Sequence, residues 1–315
     1  MRRLPKPLFP GARIAVCAPS SPAPEAEAAR GIACLRAMGF DPVLGASCFG
    51  STPERGYLAA ASDRVKLDDL HRAFADPAVD GIVCLRGGSG AGRLLRHLDA
   101  DLIAAHPKAF VGYSDITALH AFIGANCGFV TFLGPMVTSN NLTGDDSPTR
   151  AALWRALTDT APLGALGNPD NAPLCRIAPG RCRGELVGGN LAVLCTTLGT
   201  RADVDTRGKV LFLEDVDEQP YSVDRMLNHL INAGKLDEVA GILLGDFTEA
   251  EPPENAKART VDVVFRDVLS GLGIPVLGGL RCGHGTHNLT LPLGAFVEMD
   301  ADAGVVRFPE PVLAE

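Results

Sequence analysis

Short, continuously apolar runs, such as RIAVC and GIVCL, alternate with helical patterns through the first half of the chain. Each run is apolar on both faces, which is typical of a parallel strand whose sheet is covered by helices on both sides. The segments EAEAARGIACLRAMG, SDRVKLDDLHRAFAD and AGRLLRHLD between the runs have the apolar spacing of amphipathic helices. The sequence therefore predicts an α/β fold built on a parallel sheet.

The alternation lapses over residues 166–180, which are rich in Gly, Pro and Asn. Beyond them, strand patterns such as KVLFLEDV and AGILLGDF mix with helical ones. A chain of 315 residues is long enough for two domains. We therefore expect one domain over residues 1–165, a linker over 166–180 and a second domain over 181–315.

The composition excludes several classes of partner. The net charge of −8 leaves no basic footprint for nucleic acid or an anionic membrane. No apolar stretch approaches the length of a membrane span, and the first residues lack the apolar core of a secretory signal. The nine Cys are dispersed without a CxxC pair, which favours reduced thiols. We expect a cytoplasmic protein.

Ser114 follows the apolar run of FVGYSDITALH, directly before a helical pattern. A Ser at this point is either a helix N-cap or a nucleophile exposed on a sharp strand–turn–helix elbow. The stretch GYSDI departs from the G-x-S-x-G pattern because Ile116 stands at the second Gly. This stretch alone leaves both interpretations open.

A serine nucleophile needs a base and an acid that orients it. Of seven His, His284 stands between two glycines in RCGHGTHNLTLPLG, where the backbone can turn sharply and a ligand can approach. His287 follows three residues later, but no third metal ligand is evident nearby, so we expect no metal. Glu214 ends the apolar run of KVLFLEDV and is either a surface charge or the orienting acid.

The stretch CLRGGSGAGRLL supplies a glycine-rich turn after a buried strand. Its spacing fits neither G-x-G-x-x-G nor a Gly-Lys-Ser phosphate loop. Backbone N–H groups of Gly87 and Gly88, together with that of Asp115, are candidates for an oxyanion hole. The alternative is an ordinary turn between a strand and a helix.

In this order, these pieces resemble the LD-carboxypeptidase family of serine peptidases, whose namesake is muramoyl-tetrapeptide carboxypeptidase. The resemblance runs through RIAVCAPSSP, RGGSGAGRLL, FVGYSDITALH, GELVGGNLAVL, LFLEDVDEQPYSVDRML and GHGTHNLTLPLGA. It implies a flavodoxin-like N-terminal domain and a smaller, β-rich, swivelling C-terminal domain with the catalytic site between them. It also implies a cytoplasmic, metal-independent enzyme without a cofactor that is often a homodimer.

The resemblance places the nucleophile at Ser114, the acid at Glu214 and the base at His284. Its oxyanion donors fall on Asp115 and on Gly87 or Gly88. The family usually has an aromatic residue where this chain has Ser89, so the wall of the substrate pocket differs. A smaller departure is YLAA at residues 57–60, where the family more often ends in Gly.

The expected reaction is release of a terminal D-amino acid, such as D-Ala, from a murein tetrapeptide during cell-wall recycling. Arg86 is our candidate for binding the substrate carboxylate, and Asn190 either contacts the peptide or caps the next helix. Two alternatives stay open: a self-immunity hydrolase of peptide– or acyl–nucleotide amides, and a non-catalytic flavodoxin-like protein that binds phosphate or flavin. Because Ser114 and His284 lie on different predicted domains, we expect no good hydrogen bond between them without ligand.

Overall fold

The structure, a computed structural model, describes residues 2–49, 61–143, 148–250 and 259–315. Residues 57–60, where the sequence departs from the family pattern, lie outside these ranges. The predicted α/β class is confirmed: a largely parallel sheet forms the N-terminal part, and a second, strand-rich sheet forms the C-terminal part. Within the described residues, no helix is both long and apolar enough to cross a membrane.

The first sheet has six strands in the order β12-β5-β4-β3-β1-β2. Its five N-terminal strands are parallel: β1 (Arg13–Cys17), β2 (Asp41–Leu44), β3 (Gly81–Cys84), β4 (Ala109–Gly112) and β5 (Thr131–Leu133). The helices of this part are α1 (Glu25–Ala37), α2 (Asp63–Ala75), α3 (Ala100–Ala105), α4 (Thr117–Asn126) and α5 (Pro148–Thr158). All residues of β3 and β4 are buried, as runs that are apolar on both faces require.

The second sheet has eight strands in the order β6-β14-β13-β8-β9-β10-β11-β7. Its strands are β6 (Gly164–Ala165), β7 (Cys175–Ala178), β8 (Arg181–Asn190), β9 (Val210–Val216), β10 (Gly241–Thr248), β11 (Val276–Gly278), β13 (Phe296–Asp300) and β14 (Val305–Phe308). Strands β8 to β11 pair in parallel, and the outer strands are antiparallel. The helices here are α6 (Leu191–Thr197), α7 (Pro220–Asn232) and α8 (Val261–Leu269).

Three short strands lie near the predicted domain boundaries or pair across the predicted division, which itself stays a prediction. Strand β7 lies inside the predicted linker and pairs with β11, while β6 precedes the linker and pairs with β14. Strand β12 (Leu291–Leu293) lies late in the chain but adds antiparallel to β5 in the first sheet. Strands of two to four residues are too short to show a period in the sequence. The segment between β11 and β12 thus crosses from the second sheet to the first.

The helix predicted over AGRLLRHLD is wrong. Two short 3₁₀ turns, at Ala91–Arg93 and Leu95–His97, take its place, and Leu98 is extended with ψ of 132°. The α-helix begins one turn later because the Asp99 side chain caps α3, accepting a 2.9 Å hydrogen bond from the N–H of Leu102. This segment has the apolar spacing of a helix, but its backbone does not form a continuous α-helix.

Candidate active site

Ser114 lies at the junction between β4 and α4, in a backbone conformation that non-glycine residues rarely adopt. Its φ is +63°, and the chain passes from extended Tyr113 through a 3₁₀ turn into the helix. Gly112 makes this junction possible, since a Cβ there would lie 2.8 Å from the Ile116 side chain. Among the described residues, the Ser114 hydroxyl caps no helix N–H. The geometry is that of a strained elbow that presents Oγ at the end of the strand.

The glycine loop after β3 lies directly against this serine. A Cβ on Gly87 would stand 2.8 Å from Cβ and 2.9 Å from Oγ of Ser114, so only glycine fits. The loop is tied to the turn after β1 because Ser21 N–H donates to Gly87 O at 3.1 Å and Ser21 Oγ accepts from Ser89 N–H at 3.1 Å. Backbone groups of the glycine loop therefore adjoin the elbow.

The carboxylate of Asp115 connects the elbow to both neighbouring loops. It accepts hydrogen bonds from Ser20 Oγ at 2.6 Å and from the N–H of Ala91 at 2.8 Å. Beneath it, the buried Lys66 donates to Ser20 O at 2.6 Å. Burial raises the pKa of Asp115, while the hydrogen bonds from Ser20 and Ala91 and the charge of Lys66 oppose that rise. The backbone N–H of Asp115 has no acceptor in the described part of the chain, so it is available to a ligand.

Glu214 and His284 form a close pair at the end of β9. The fully buried Glu214 places Oε2 2.7 Å from Nδ1 of His284, and a carboxylate there accepts the Nδ1 proton and leaves Nε2 as the free base nitrogen. Burial lowers the pKa of His284, but the hydrogen bond and charge of Glu214, with smaller contributions from Asp215 and Glu249, outweigh it. The net pKa is therefore raised.

The imidazole of His284 packs beside the ring of Tyr113, the residue before Ser114. The rings of Tyr113 and His284 lie 4.8 Å apart between centroids and are tilted by 54°. No hydrogen bond joins Ser114 to His284 within the described ranges. The expectation that ligand is needed for a good hydrogen bond between these two groups stays a prediction.

Asn190 ends β8 beside Glu214 and is used as a helix cap. Its Oδ1 accepts from the N–H of Val193 at 3.0 Å, and its Nδ2 donates to Asp215 at 2.8 Å. The backbone N–H of Asn190 donates to Thr117 Oγ1 at 3.0 Å and so joins β8 of the second sheet to α4 next to the elbow. Burial raises the pKa of Asp215 to about 6. Sequence reasoning missed Asp215 and Thr117, whose partners lie far away along the chain.

Arg86 and Ser89 occupy the rim of the glycine loop. Arg86 is half-buried and donates from Nη1 to Pro22 O at 3.4 Å, and no carboxylate pairs with it among the residues described. Ser89 is exposed. In the same ranges, no three side chains are grouped as metal ligands, and the expected lack of a metal stays a prediction.

The chain matches both domain models of one peptidase family: the LD-carboxypeptidase N-terminal domain over residues 14–134 and the C-terminal domain over residues 183–299. It is 40% identical over 296 residues to the probable murein peptide carboxypeptidase of Bacillus subtilis, covering 94% of this chain and 91% of that protein. A solved muramoyltetrapeptide carboxypeptidase from Oxalobacter formigenes superposes with a TM-score of 0.80 at 30% identity, covering 94% and 97% of the two chains.

A second group of relatives has a different name. The microcin C7 self-immunity protein MccF of Escherichia coli is 27% identical over 310 residues, covering 90% of this chain and 88% of that protein. A structure of MccF with glutamyl sulfamoyl guanosine superposes with a TM-score of 0.89 at 27% identity and covers 99% of both chains. The same two-domain fold thus occurs in relatives of both names.

Proposed function

The chain belongs to the LD-carboxypeptidase family, and from that premise we propose that it is a serine peptidase that removes a terminal D-amino acid from murein peptides. The observation that carries the proposal is the joint geometry of the strained Ser114 elbow and the buried Glu214–His284 pair. A helix cap would not need a φ of +63°, and a surface carboxylate would not be fully buried against an imidazole. The best-fitting reaction is hydrolysis of the bond between an L-centre and D-Ala.

The groups act in a fixed order in this proposal. Ser114 Oγ attacks the amide carbonyl while Nε2 of His284 takes its proton, and Glu214 stabilises the imidazolium. The oxyanion is bound by the backbone N–H of Asp115 and by one from Gly87 or Gly88. His284 then protonates the leaving amine of D-Ala. Water, activated by the same histidine, releases the acyl group from Ser114.

Arg86 explains how such an enzyme selects a chain end. A guanidinium that has no carboxylate partner in the described ranges, beside the glycine loop, matches the free carboxylate of a terminal D-amino acid. A peptide amide lacks that charge. We therefore expect Arg86→Met to raise KM for the peptide acid by about tenfold or more and to remove the preference for the acid over the C-terminal amide.

The proposal is tested by measuring D-Ala release from a disaccharide tetrapeptide in the presence of EDTA. Wild-type protein should be active, Ser114→Ala should lose about 10⁴-fold or more, and Glu214→Gln about 10³- to 10⁴-fold. An active Ser114→Ala variant would refute the mechanism. Wild-type inactivity on every murein peptide would refute the substrate while leaving the mechanism open to other amides.

A second candidate function is hydrolysis of peptide– or acyl–nucleotide amides, as the self-immunity name of MccF suggests. Ser89 leaves it open, because this chain lacks the aromatic side chain that the carboxypeptidase family usually has at that position. The same three proteins should be tested on an aspartyl or glutamyl sulfamoyl nucleoside. Release of the amino acid from the nucleoside, with no D-Ala release from murein peptides, would favour this function over the first.

We also propose that the protein acts in the cytoplasm as a homodimer, as the family resemblance implies. Light scattering on the purified protein should give twice the chain mass. A mass equal to one chain across the micromolar range would contradict the dimer.

A further inference from the structure

The turn that carries His284 has little secondary structure of its own. Residues 279–290 run between β11 and β12 without a helix or strand, and Leu289 N–H closes the loop on Arg281 O at 2.9 Å. A general base must nevertheless be held within about 0.5 Å of its working position. The support must therefore come from neighbouring segments.

Asn168, in the segment between β6 and β7 of the second sheet, holds the base of this loop on both sides. Its Nδ2 donates to Gly279 O at 2.8 Å, and its Oδ1 accepts from Arg281 N–H at 2.9 Å. A third bond, from Nδ2 to Ala172 O at 2.9 Å, fixes the amide to its own turn. Asn168 is only 7% exposed, so these bonds are not exchanged for water.

Arg281 extends this support to a second carboxylate. Its Nε donates to Asp170 at 2.9 Å and its Nη1 to Asp246 at 3.5 Å. Asp246 in turn donates its N–H to Cys282 O at 2.9 Å, at the point where the loop begins. The side chain of Asp246 is nearly buried, and its second oxygen has no partner among the described residues.

The two glycines that flank His284 lie against two different carboxylates. A Cβ on Gly283 would overlap the carboxylate of Glu214, and a Cβ on Gly285 would overlap that of Asp246, whose Cγ would be 2.6 Å away. The Gly-His-Gly turn thus fits between an acid that contacts the imidazole and an acid that contacts only the backbone beyond it. This arrangement accounts for both glycines.

We infer that Asn168 and Asp246 are positioning residues for the catalytic histidine, holding its turn from the side opposite Glu214. The inference rests on the proposed function of His284. It gives the segment between β6 and β7 a role in holding the catalytic histidine, in addition to connecting two strands of the second sheet. Neither residue reaches the reacting atoms, so their loss should change the rate of the chemical step more than substrate binding.

The far end of the loop is held by the N-terminal half of the chain. The buried Thr149, in α5, accepts the N–H of Asn288 at 2.9 Å, and Asn288 Oδ1 accepts from Gly283 N–H at 3.1 Å. Asn141 Nδ2 also donates to Gly285 O at 3.2 Å, so the N-terminal half of the chain holds the tip of the turn. The base of the turn is held by the residues described above. A displacement of about 1 Å there is enough to cost about 100-fold in rate.

The test compares Asn168→Ala and Asp246→Asn with a control, Glu298→Gln, which removes an exposed ion pair with Arg307 on the outer β13–β14 hairpin. For both test variants we expect kcat to fall about 10- to 100-fold with KM within about threefold. The control should stay within about twofold of wild type. Circular dichroism and urea titration establish the folded fraction of each protein.

A second readout is the pKa of His284 followed by NMR, which needs no activity. The groups that face its imidazole are Glu214, Asp215, Glu249 and Tyr113. Asn168→Ala changes no charge, so a positioning role predicts a lower pKa, because burial then outweighs a loosened Glu214 contact. An unchanged pKa together with unchanged kcat would overturn the inference.

Failure of the positioning role can be distinguished from failure of the proposed function. Should wild type release no amino acid from any substrate, a lowered His284 pKa in Asn168→Ala still supports the positioning role, and an unchanged one overturns it. Should Asn168→Ala fail to fold, Asp246→Asn decides by the same measurements. An equal fall in kcat for Glu298→Gln would show that the effect is general destabilisation and would also overturn the inference.

Discussion

Gly283→Ala is the substitution for which the structure gives the sharpest expectation. Gly283 has φ of +120°, and an added Cβ would stand 3.0 Å from both Cβ and Cδ of Glu214, with Oε2 nearer still. Ordinary contacts to carbon begin near 3.5 Å, so Cδ of Glu214 must withdraw by about 0.5 Å and the nearer Oε2 by about 1 Å. Because Glu214 is fully buried, no open space receives it.

Two separate costs follow from this geometry. The backbone conformation costs about 1–3 kcal/mol of folding stability for any residue other than glycine. Withdrawal of the carboxylate breaks the 2.7 Å contact with His284, since a distance near 3.7 Å is no longer a hydrogen bond. A misplaced base costs about 10²-fold and a lost orienting acid about 10⁴-fold. We therefore expect kcat/KM to fall by 10²- to 10⁴-fold, or about 2.7–5.4 kcal/mol.

Gly180→Ala is the matched control for this experiment. Gly180 has nearly the same φ, +121°, but its added Cβ would meet Pro275 at an ordinary 3.6 Å. Urea titration should show a similar loss of stability in the two variants, while D-Ala release should fall only in Gly283→Ala. If Gly283→Ala retained activity within about fivefold of Gly180→Ala at equal stability, the Glu214–His284 contact would not be required and the reasoning would be refuted.

Three further expectations concern the same site. The pKa of His284 is raised above its ordinary 6.5, and the base must be neutral to act, so kcat/KM should rise with pH through an apparent pKa above 6.5. Glu214→Gln should move this rise in the pH–rate profile to lower pH. A rise at unchanged pH in that variant would contradict the assignment. Asp115→Ala removes the carboxylate that accepts hydrogen bonds from both Ser20 and Ala91, and it should lower kcat about 10²-fold in steady-state kinetics. Ser20→Ala removes one donor and should lower kcat about tenfold or less. Equal effects of the two substitutions would contradict the role of the shared carboxylate. Thr117→Val leaves the buried N–H of Asn190 without its acceptor and should lower the free energy of unfolding in urea by about 1–3 kcal/mol. No loss would mean that this bond between β8 and α4 contributes nothing to stability.

Much of the first sheet could be predicted from local pattern. The runs of β3 and β4 are apolar throughout because both faces of the sheet are covered, and Ser62 caps α2 as its position before the helical pattern predicts. Strand β12 could not be predicted in this way. It is three residues long with Pro292 at its centre, and its partner β5 lies more than 150 positions earlier in the chain. Such a pairing is set by the tertiary structure and has no local signal.

The residues of the site also differ in whether the local sequence predicts them. Ser114, Glu214 and His284 each lie beside a recognisable apolar or glycine-rich run, so the local sequence identifies them as candidate catalytic residues. Asn168 and Asp246 had no such signal, because an Asn beside a Pro in a polar segment reads as a turn and an Asp after an apolar run reads as a strand end. Both residues contact the loop between β11 and β12 only in the folded chain, so their role has no signal in the local sequence.

The crossing of this loop between the sheets limits how the site can be completed. His284 is held on one side by Glu214 of the second sheet, and the chain after it enters the first sheet as β12, paired with β5. Thr149 holds the same loop from α5, and Asn190 joins β8 of the second sheet to Thr117 of α4. A wide separation of the two sheets would break all of these contacts together. We therefore expect the approach of His284 to Ser114 to occur by a change within the Gly283–Gly285 turn, so that substrate shifts the NMR signals of this turn while those of β5 and β12 stay in place.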